Sequence, residues 1–185
     1  MNFEDQEMGL FLKALEFSAE KHKLQRRKGY NQVPYINHPI KVCHLLYMSE
    51  EKDINLLIAA LLHDTLEDTS ATEEEIAQLF GKPVLEIVLE VTDNMELPYA
   101  ERKQKQIDKA PFLSESAKKL KIADKICNIH DIVTYPLSWA NERKIAYLEW
   151  AKKVVERCRG ANAFLDLKFE KEFTEGMSLL GRPHP

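Results

Sequence analysis

Apolar positions recur at helical spacing through most of this chain. Leu10, Ala14, Phe17 and Leu24 fall near every 3.6 residues and predict a helix over residues 3–23 whose apolar face runs on to Leu24. Pro39 follows His38 at a first-turn position, opening a helix through "IKVCHLLYM". Asp53 starts the next helix, the aliphatic run "INLLIAALL", which ends in the acidic turn "HDTLEDT". Thr72 and Glu75 have capping-box spacing for a short helix that Gly81 closes. A helix from Pro83 to about Asn94 follows, and then the polar, basic stretch "LPYAERKQKQIDKAP" interrupts the pattern. A long helix begins near Ser114 and runs through "AKKLKIADKICNI". Two more cover residues 137–159 and 161–180 with Gly160 between them, and a frayed tail is expected over 181–185. No strand alternation, repeat or linker breaks this series. The pattern predicts an all-α chain forming a single helical domain over residues 1–185.

Composition narrows the function classes. Hydrophobic residues make up 44% and charged residues 30% of 185, the balance of a folded globular chain. A net charge of −4 excludes a general nucleic-acid coat. No apolar run reaches the roughly 20 residues that span a bilayer. The opening "MNFEDQEMGLFLK" is acidic and lacks the basic start of a secretory signal. Cys43, Cys127 and Cys158 are odd in number and show no CxxC spacing, which argues against a disulfide framework or a structural zinc site. A cytoplasmic protein without a membrane or nucleic-acid partner is expected, with the oligomeric state left open.

The acidic turn poses the chemical question, because carboxylates beside an aliphatic run are costly to bury without a compensating cation or donor. His38 stands at a helix start, His63 and Asp64 end the aliphatic helix, and Asp124 lies among apolar neighbours in "LKIADKICNI". Two imidazoles and two carboxylates form a mixed nitrogen and oxygen set that suits manganese, iron or a similar divalent ion. Glu67 and Asp68 follow one turn later. Each residue also has a plain structural reading. His38 could be a cap, Asp124 could pair with Lys121 or Lys125 on the surface, and Glu67 and Asp68 could be a solvated helix end. Acids at a helix C-terminus oppose the macrodipole, however, which favours a functional role. The cations of "KHKLQRRK", with Arg102, Lys103 and Lys105 and with Arg143 and Lys144, suit a compact polyanion carrying several phosphates.

At "PYINHP", "LLHDTLEDT" and "IADKICN", in that order, the sequence resembles the HD-domain hydrolases of the RelA/SpoT family, and most closely their small stand-alone members. The stretches "EVTDN…LPYAERKQKQIDKAP" and "YLEWAKKVV" extend the likeness over about residues 5–165. The resemblance implies an HD-domain helical bundle with a metal site between helices. It implies manganese-dependent hydrolysis of guanosine 3′,5′-bispyrophosphate or the pentaphosphate at the 3′-pyrophosphate. By position, His38, His63, Asp64 and Asp124 would be metal ligands, and Glu67 and Asp68 would handle the attacking water and proton transfers. Arg27, Lys28 and Asn128 would hold the nucleotide, and Arg143 with Tyr147 would meet distal phosphate or sugar. The length leaves no room for a synthetase domain, so a hydrolase-only protein is implied.

Two departures stand out. The loop "KGYNQVPYIN" between Arg27 and His38 is longer than in the long bacterial enzymes, and His130 stands where the family commonly carries arginine. His22 and His44 are read as structural. Two other functions compete: a metal-dependent phosphatase for another phosphorylated nucleotide such as NADPH, which the longer loop would admit, and a catalytically silent nucleotide-binding module. The intact set of six acidic and imidazole residues argues against the silent module.

Overall fold

The run from Ile54 to Leu62 is apolar on every side, and a helix of that kind is stable only when surrounded. In the computed structural model, which describes residues 3–29 and 32–181, this helix is the centre of the first of two compact units. The first unit comprises residues 1–26 and 33–96. Its helices are α1 (Phe3–Lys21), α2 (Asn37–Met48), α3 (Ile54–Leu62), α4 (Thr65–Asp68), α5 (Glu73–Phe80) and α6 (Lys82–Val91). Helices α1, α2 and α6 all pack on α3, and every residue from Leu56 to Leu62 is buried. Removing each of the leucine and isoleucine side chains among them from water contributes about 1.5–3 kcal/mol. Ser18 of α1 ties the two helices further, its hydroxyl donating to the Leu61 carbonyl at 2.6 Å.

Local chemistry sets the ends of these helices. The Asp53 side chain caps α3 by accepting from the Asn55 amide at 2.9 Å. The capping box read from the sequence forms on α5, with Thr72 accepting from the Glu75 amide at 3.2 Å and Glu75 accepting from the Thr72 amide at 3.0 Å. Gly81, at φ +88°, makes the sharp exchange between α5 and α6 that a side chain would resist. Lys21 donates to the Glu75 carboxylate at 2.7 Å, and this bond first, with the Thr72 amide second, holds the Glu75 carboxyl below the usual range. A depressed carboxylate contributes stability above its unfolded pKa and loses it as pH falls through the folded value. Separately, Thr72→Ala removes the hydroxyl that accepts from the Glu75 amide and is expected to lower unfolding stability by about 1 kcal/mol. Denaturant titration at neutral and acidic pH checks this.

The second unit comprises residues 27–32 and 97–185. It holds α7 (Tyr99–Lys109), a 3₁₀ turn at Ala110–Phe112, α8 (Glu115–Thr134), α9 (Asn141–Glu156) and α10 (Ala163–Leu180). Helix α8 is the spine, with Leu120, Ile122, Ala123, Ile126, Ile129 and Ile132 all buried, and both α9 and α10 pack on it. Ser114 caps α8 and Asn162 caps α10, each accepting a backbone N–H three residues on. A Cβ at Gly176 would stand 3.0 Å from both Leu148 and Val133, so this glycine lets α10 approach its neighbours closely.

Three expectations change. The polar stretch after Leu97 forms helix α7, although none of its residues is buried. Helix α1 ends at Lys21, so Leu24 leaves the apolar face and is 85% exposed. The aliphatic helix does not carry its acids, because α3 stops at Leu62 and Glu67 and Asp68 belong to the separate short helix α4. No strand forms among the described residues, apart from one isolated bridge between Arg26 and Pro34. The tail expected to fray lies outside the described residues from position 182 onward, as do Tyr30 and Asn31 of the long loop.

Candidate active site

In the first unit, His38 arrives from the first turn of α2 and His63 from the end of α3, so packing α2 on α3 brings the two rings together. Their centroids are 5.3 Å apart. Asp64 follows His63 at the N-cap position of α4 without a side-chain cap bond, and its carboxylate faces both rings. One oxygen of Asp64 lies 3.1 Å from His63 Nε2 and 3.7 Å from His38 Nε2. His63 Nδ1 is 2.8 Å from the Ala60 carbonyl, which can only accept, so this nitrogen carries the proton. In the neutral ring Nε2 is then a lone pair aimed at a carboxylate, and two acceptors so close call for a cation between them. Two imidazole nitrogens and a carboxylate oxygen suit a divalent metal ion. Tyr35 donates to the same Asp64 oxygen at 2.8 Å and holds it in place.

Glu67 and Asp68 are also tied within this unit. Glu67 accepts from the backbone amide of Asp93 at 2.5 Å, and Asp68 accepts from Gln25 Nε2 at 2.9 Å. Gln25 in turn accepts from His22 Nδ1 at 2.5 Å, and the His22 ring stacks on Tyr35. His22 is buried, in keeping with its structural reading, while His44 is exposed.

The second unit assembles the remaining residues around α8. Asp124 is buried and paired, as one plain reading held, but inside the protein and not on its surface. Asp124 is 8% exposed and Lys125 4%, and the ammonium donates to Asp124 at 2.8 Å. Asn128, one turn on, donates to the other Asp124 oxygen at 2.6 Å and accepts from Arg27 at 2.7 Å. Arg27 also bonds Asp131, at 2.9 Å through its terminal nitrogen and 3.2 Å through Nε. Its guanidinium is thereby held on α8, whereas the neighbouring Lys28 is exposed. Asn128→Leu would strip one donor from Asp124 and one acceptor from Arg27, and is expected to lower unfolding stability by about 1–3 kcal/mol. Denaturant titration of the variant measures this.

On α9, Tyr147 lies between Trp139 and Trp150, with centroid distances of 6.4 Å and 5.3 Å. Burial, with Asp124 adding to it, pushes its phenol well above the usual range against the opposing pull of Lys125 and Arg27. It therefore stays protonated and can donate. Arg143 lies over the Trp139 ring at 4.1 Å. His130 faces away from these groups toward Glu172 of α10, at 3.5 Å. Burial pushes the Cys43 thiol up to about 12 and that of Cys158 to about 11, so neither supplies a thiolate at neutral pH.

Comparison with known proteins places this arrangement. The family model described as "HD domain" matches residues 14–147. The chain is 46% identical over 168 residues to guanosine-3′,5′-bis(diphosphate) 3′-pyrophosphohydrolase MESH1 of Xenopus tropicalis, covering 90% of this chain and 94% of that one. Against the Homo sapiens protein of the same name it is 44% identical over 162 residues, covering 86% and 90%. The chain belongs to the HD-domain family. A solved structure described as "A metazoan ortholog of SpoT hydrolyzes ppGpp and plays a role in starvation responses" superposes on this HD-domain chain with a TM-score of 0.87. That match has 43% identity and covers 90% of this chain and 94% of the other.

Each unit holds groups beside its candidate residues that the sequence did not single out. Tyr35 was inside the quoted motif "PYINHP", three residues before His38, and a half-buried tyrosine hydroxyl commonly finds a partner. Gln25, Trp139 and Trp150 gave no signal of their own, because their roles depend on contacts across the fold. No described helix is long and apolar enough to cross a membrane.

Proposed function

We propose that this HD-domain protein hydrolyses guanosine 3′,5′-bispyrophosphate, and the corresponding pentaphosphate, at the 3′-pyrophosphate. Water attacks phosphorus, the bond to the 3′ oxygen breaks, and GDP or GTP leaves with pyrophosphate. The observation that carries this reading is the near-full-length likeness, at 44–46% identity, to relatives named for this reaction. His38, His63, Asp64 and Asp124 are the proposed ligands of a divalent ion, most suitably manganese, with Asp124 assigned from its sequence motif. Such an ion, when bound, polarises phosphoryl oxygens and acidifies water. Glu67 is assigned the proton of the attacking water and Asp68 the delivery of a proton to the departing 3′ oxygen. Arg27, Lys28 and Asn128 hold the nucleotide, and Arg143 and Tyr147 meet the distal phosphate or sugar. The three cysteines are free and buried, which suits the reducing cytoplasm where we place the protein.

Mass-spectrometric identification of products from guanosine bispyrophosphate, with and without manganese, tests the reading. GDP and pyrophosphate formed only with the metal are expected. Phosphate release from NADPH, with the guanosine substrate untouched, would establish the phosphatase alternative instead.

A further inference from the structure

Asp68 is exposed at the end of the four-residue helix α4, so its rotamer is left to whatever bonds it. The side-chain amide of Gln25, 43 positions earlier, donates to its carboxylate through Nε2 at 2.9 Å. Gln25 lies past the end of α1 in a segment tied from both sides. Its backbone N–H donates to the His22 carbonyl at 2.9 Å, and its own carbonyl accepts from the Tyr35 amide at 3.1 Å. The backbone is thereby fixed, but a primary amide can still present either end to a neighbour. An ionised carboxylate only accepts, so the bond to Asp68 needs the NH₂ group on that side. The amide oxygen then faces the other way, 2.5 Å from His22 Nδ1. Two facing acceptors would repel, so the His22 proton sits on Nδ1. Among the described residues no group bonds its Nε2, and nothing there draws the proton across the ring. The ring itself is held, at 1% exposure and stacked on Tyr35 with 4.9 Å between centroids. Tyr35 donates in turn to Asp64 at 2.8 Å. One buried imidazole thus braces both aspartates of the acidic turn, Asp64 through its face and Asp68 through its edge.

We propose that His22 is a positioning residue whose Nδ1–H fixes the Gln25 amide with its NH₂ group toward Asp68, and so holds that carboxylate in the orientation for proton delivery. The inference rests on the reading of Asp68 as the proton carrier and adds to it the groups that aim it. His22 acts through Gln25, so losing the donor at 22 or the amide at 25 has one and the same consequence. That consequence falls on the proton-transfer step and not on nucleotide binding.

The test uses the full chain, native and with His22→Phe, Gln25→Met and Asp68→Asn, the first two also combined with the third. Phenylalanine keeps a ring against Tyr35 and loses the donor, and methionine keeps the length of Gln25 and loses the amide. With guanosine bispyrophosphate and manganese, His22→Phe and Gln25→Met are each expected to lose about ten-fold in kcat with KM within about two-fold. Misplacing a reacting group by about 1 Å can cost as much as 10²-fold. In the Asp68→Asn background the same changes should cost less than about two-fold, because the group they aim is already gone. Denaturant titration shows which variants fold. Should His22→Phe fail to fold, Gln25→Met carries the test, since position 25 is half-buried and outside the helices. Equal losses with and without Asp68, a changed KM at native kcat, or native kinetics in Gln25→Met would each overturn the proposal. So would nitrogen NMR of the native imidazole that puts the His22 proton on Nε2. A native protein with that proton on Nδ1 that releases no pyrophosphate from guanosine bispyrophosphate would instead overturn the functional reading and leave the His22–Gln25–Asp68 chain standing.

Discussion

Glu67→Gln and Asp68→Asn are each expected to keep the fold and the native metal content while turnover falls by about 10²–10⁴-fold, the usual contribution of a positioned acid or base. The structure makes these variants clean. Glu67 uses a carboxylate oxygen to accept from the Asp93 amide, and Asp68 uses one to accept from Gln25. A side-chain amide retains an accepting oxygen in either place, so the short helix α4 keeps both tethers. The ability to take up and release a proton is what disappears. Steady-state turnover at saturating manganese, with metal measured on the same samples, decides the matter. Native rates in both variants would leave the acidic turn without a chemical role.

Asp64→Asn and Asp124→Asn are expected to lower metal affinity by at least about 100-fold, since disturbing even the outer partners of a metal site commonly costs 10–100-fold. Asp64 faces two imidazole nitrogens through one oxygen, and Asn would keep an acceptor for Tyr35 while removing the negative charge. Asparagine at 124 keeps an oxygen that can accept from Lys125 or Asn128 but not the charge that opposes the buried Lys125 ammonium, so the fold of this variant is measured by circular dichroism beside its metal content. Elemental analysis after dialysis against a defined manganese buffer gives the answer. Full metal content in either variant would remove that residue from the proposed ligand set.

Several elements could be read from the sequence because their causes are local. A continuous aliphatic run must be surrounded, so α3 announced itself as a helix, and Asp53, Thr72 and Ser114 marked starts through side chains that bond the next backbone amides. The imidazole and carboxylate residues were visible for a related reason: polar groups set against apolar neighbours need a compensating partner. The family motif then named the set from sequence order alone.

What the sequence did not contain is who those partners are. Tyr35 and Asp64 lie 29 positions apart, Gln25 and Asp68 43, and Arg27 and Asn128 101. A hydrogen bond depends on distances of a few tenths of an ångström, and no periodicity within one helix carries that information. Helix α7 shows the same limit for a whole element. None of its residues is fully buried, so the hydrophobic pattern was silent, and the rings of α9 grip its Lys103. By itself the sequence determined which apolar-patterned segments coil and which residues are candidates for the chemistry. The tertiary structure alone decided how those residues are held, because holding them takes groups from segments far apart in the chain.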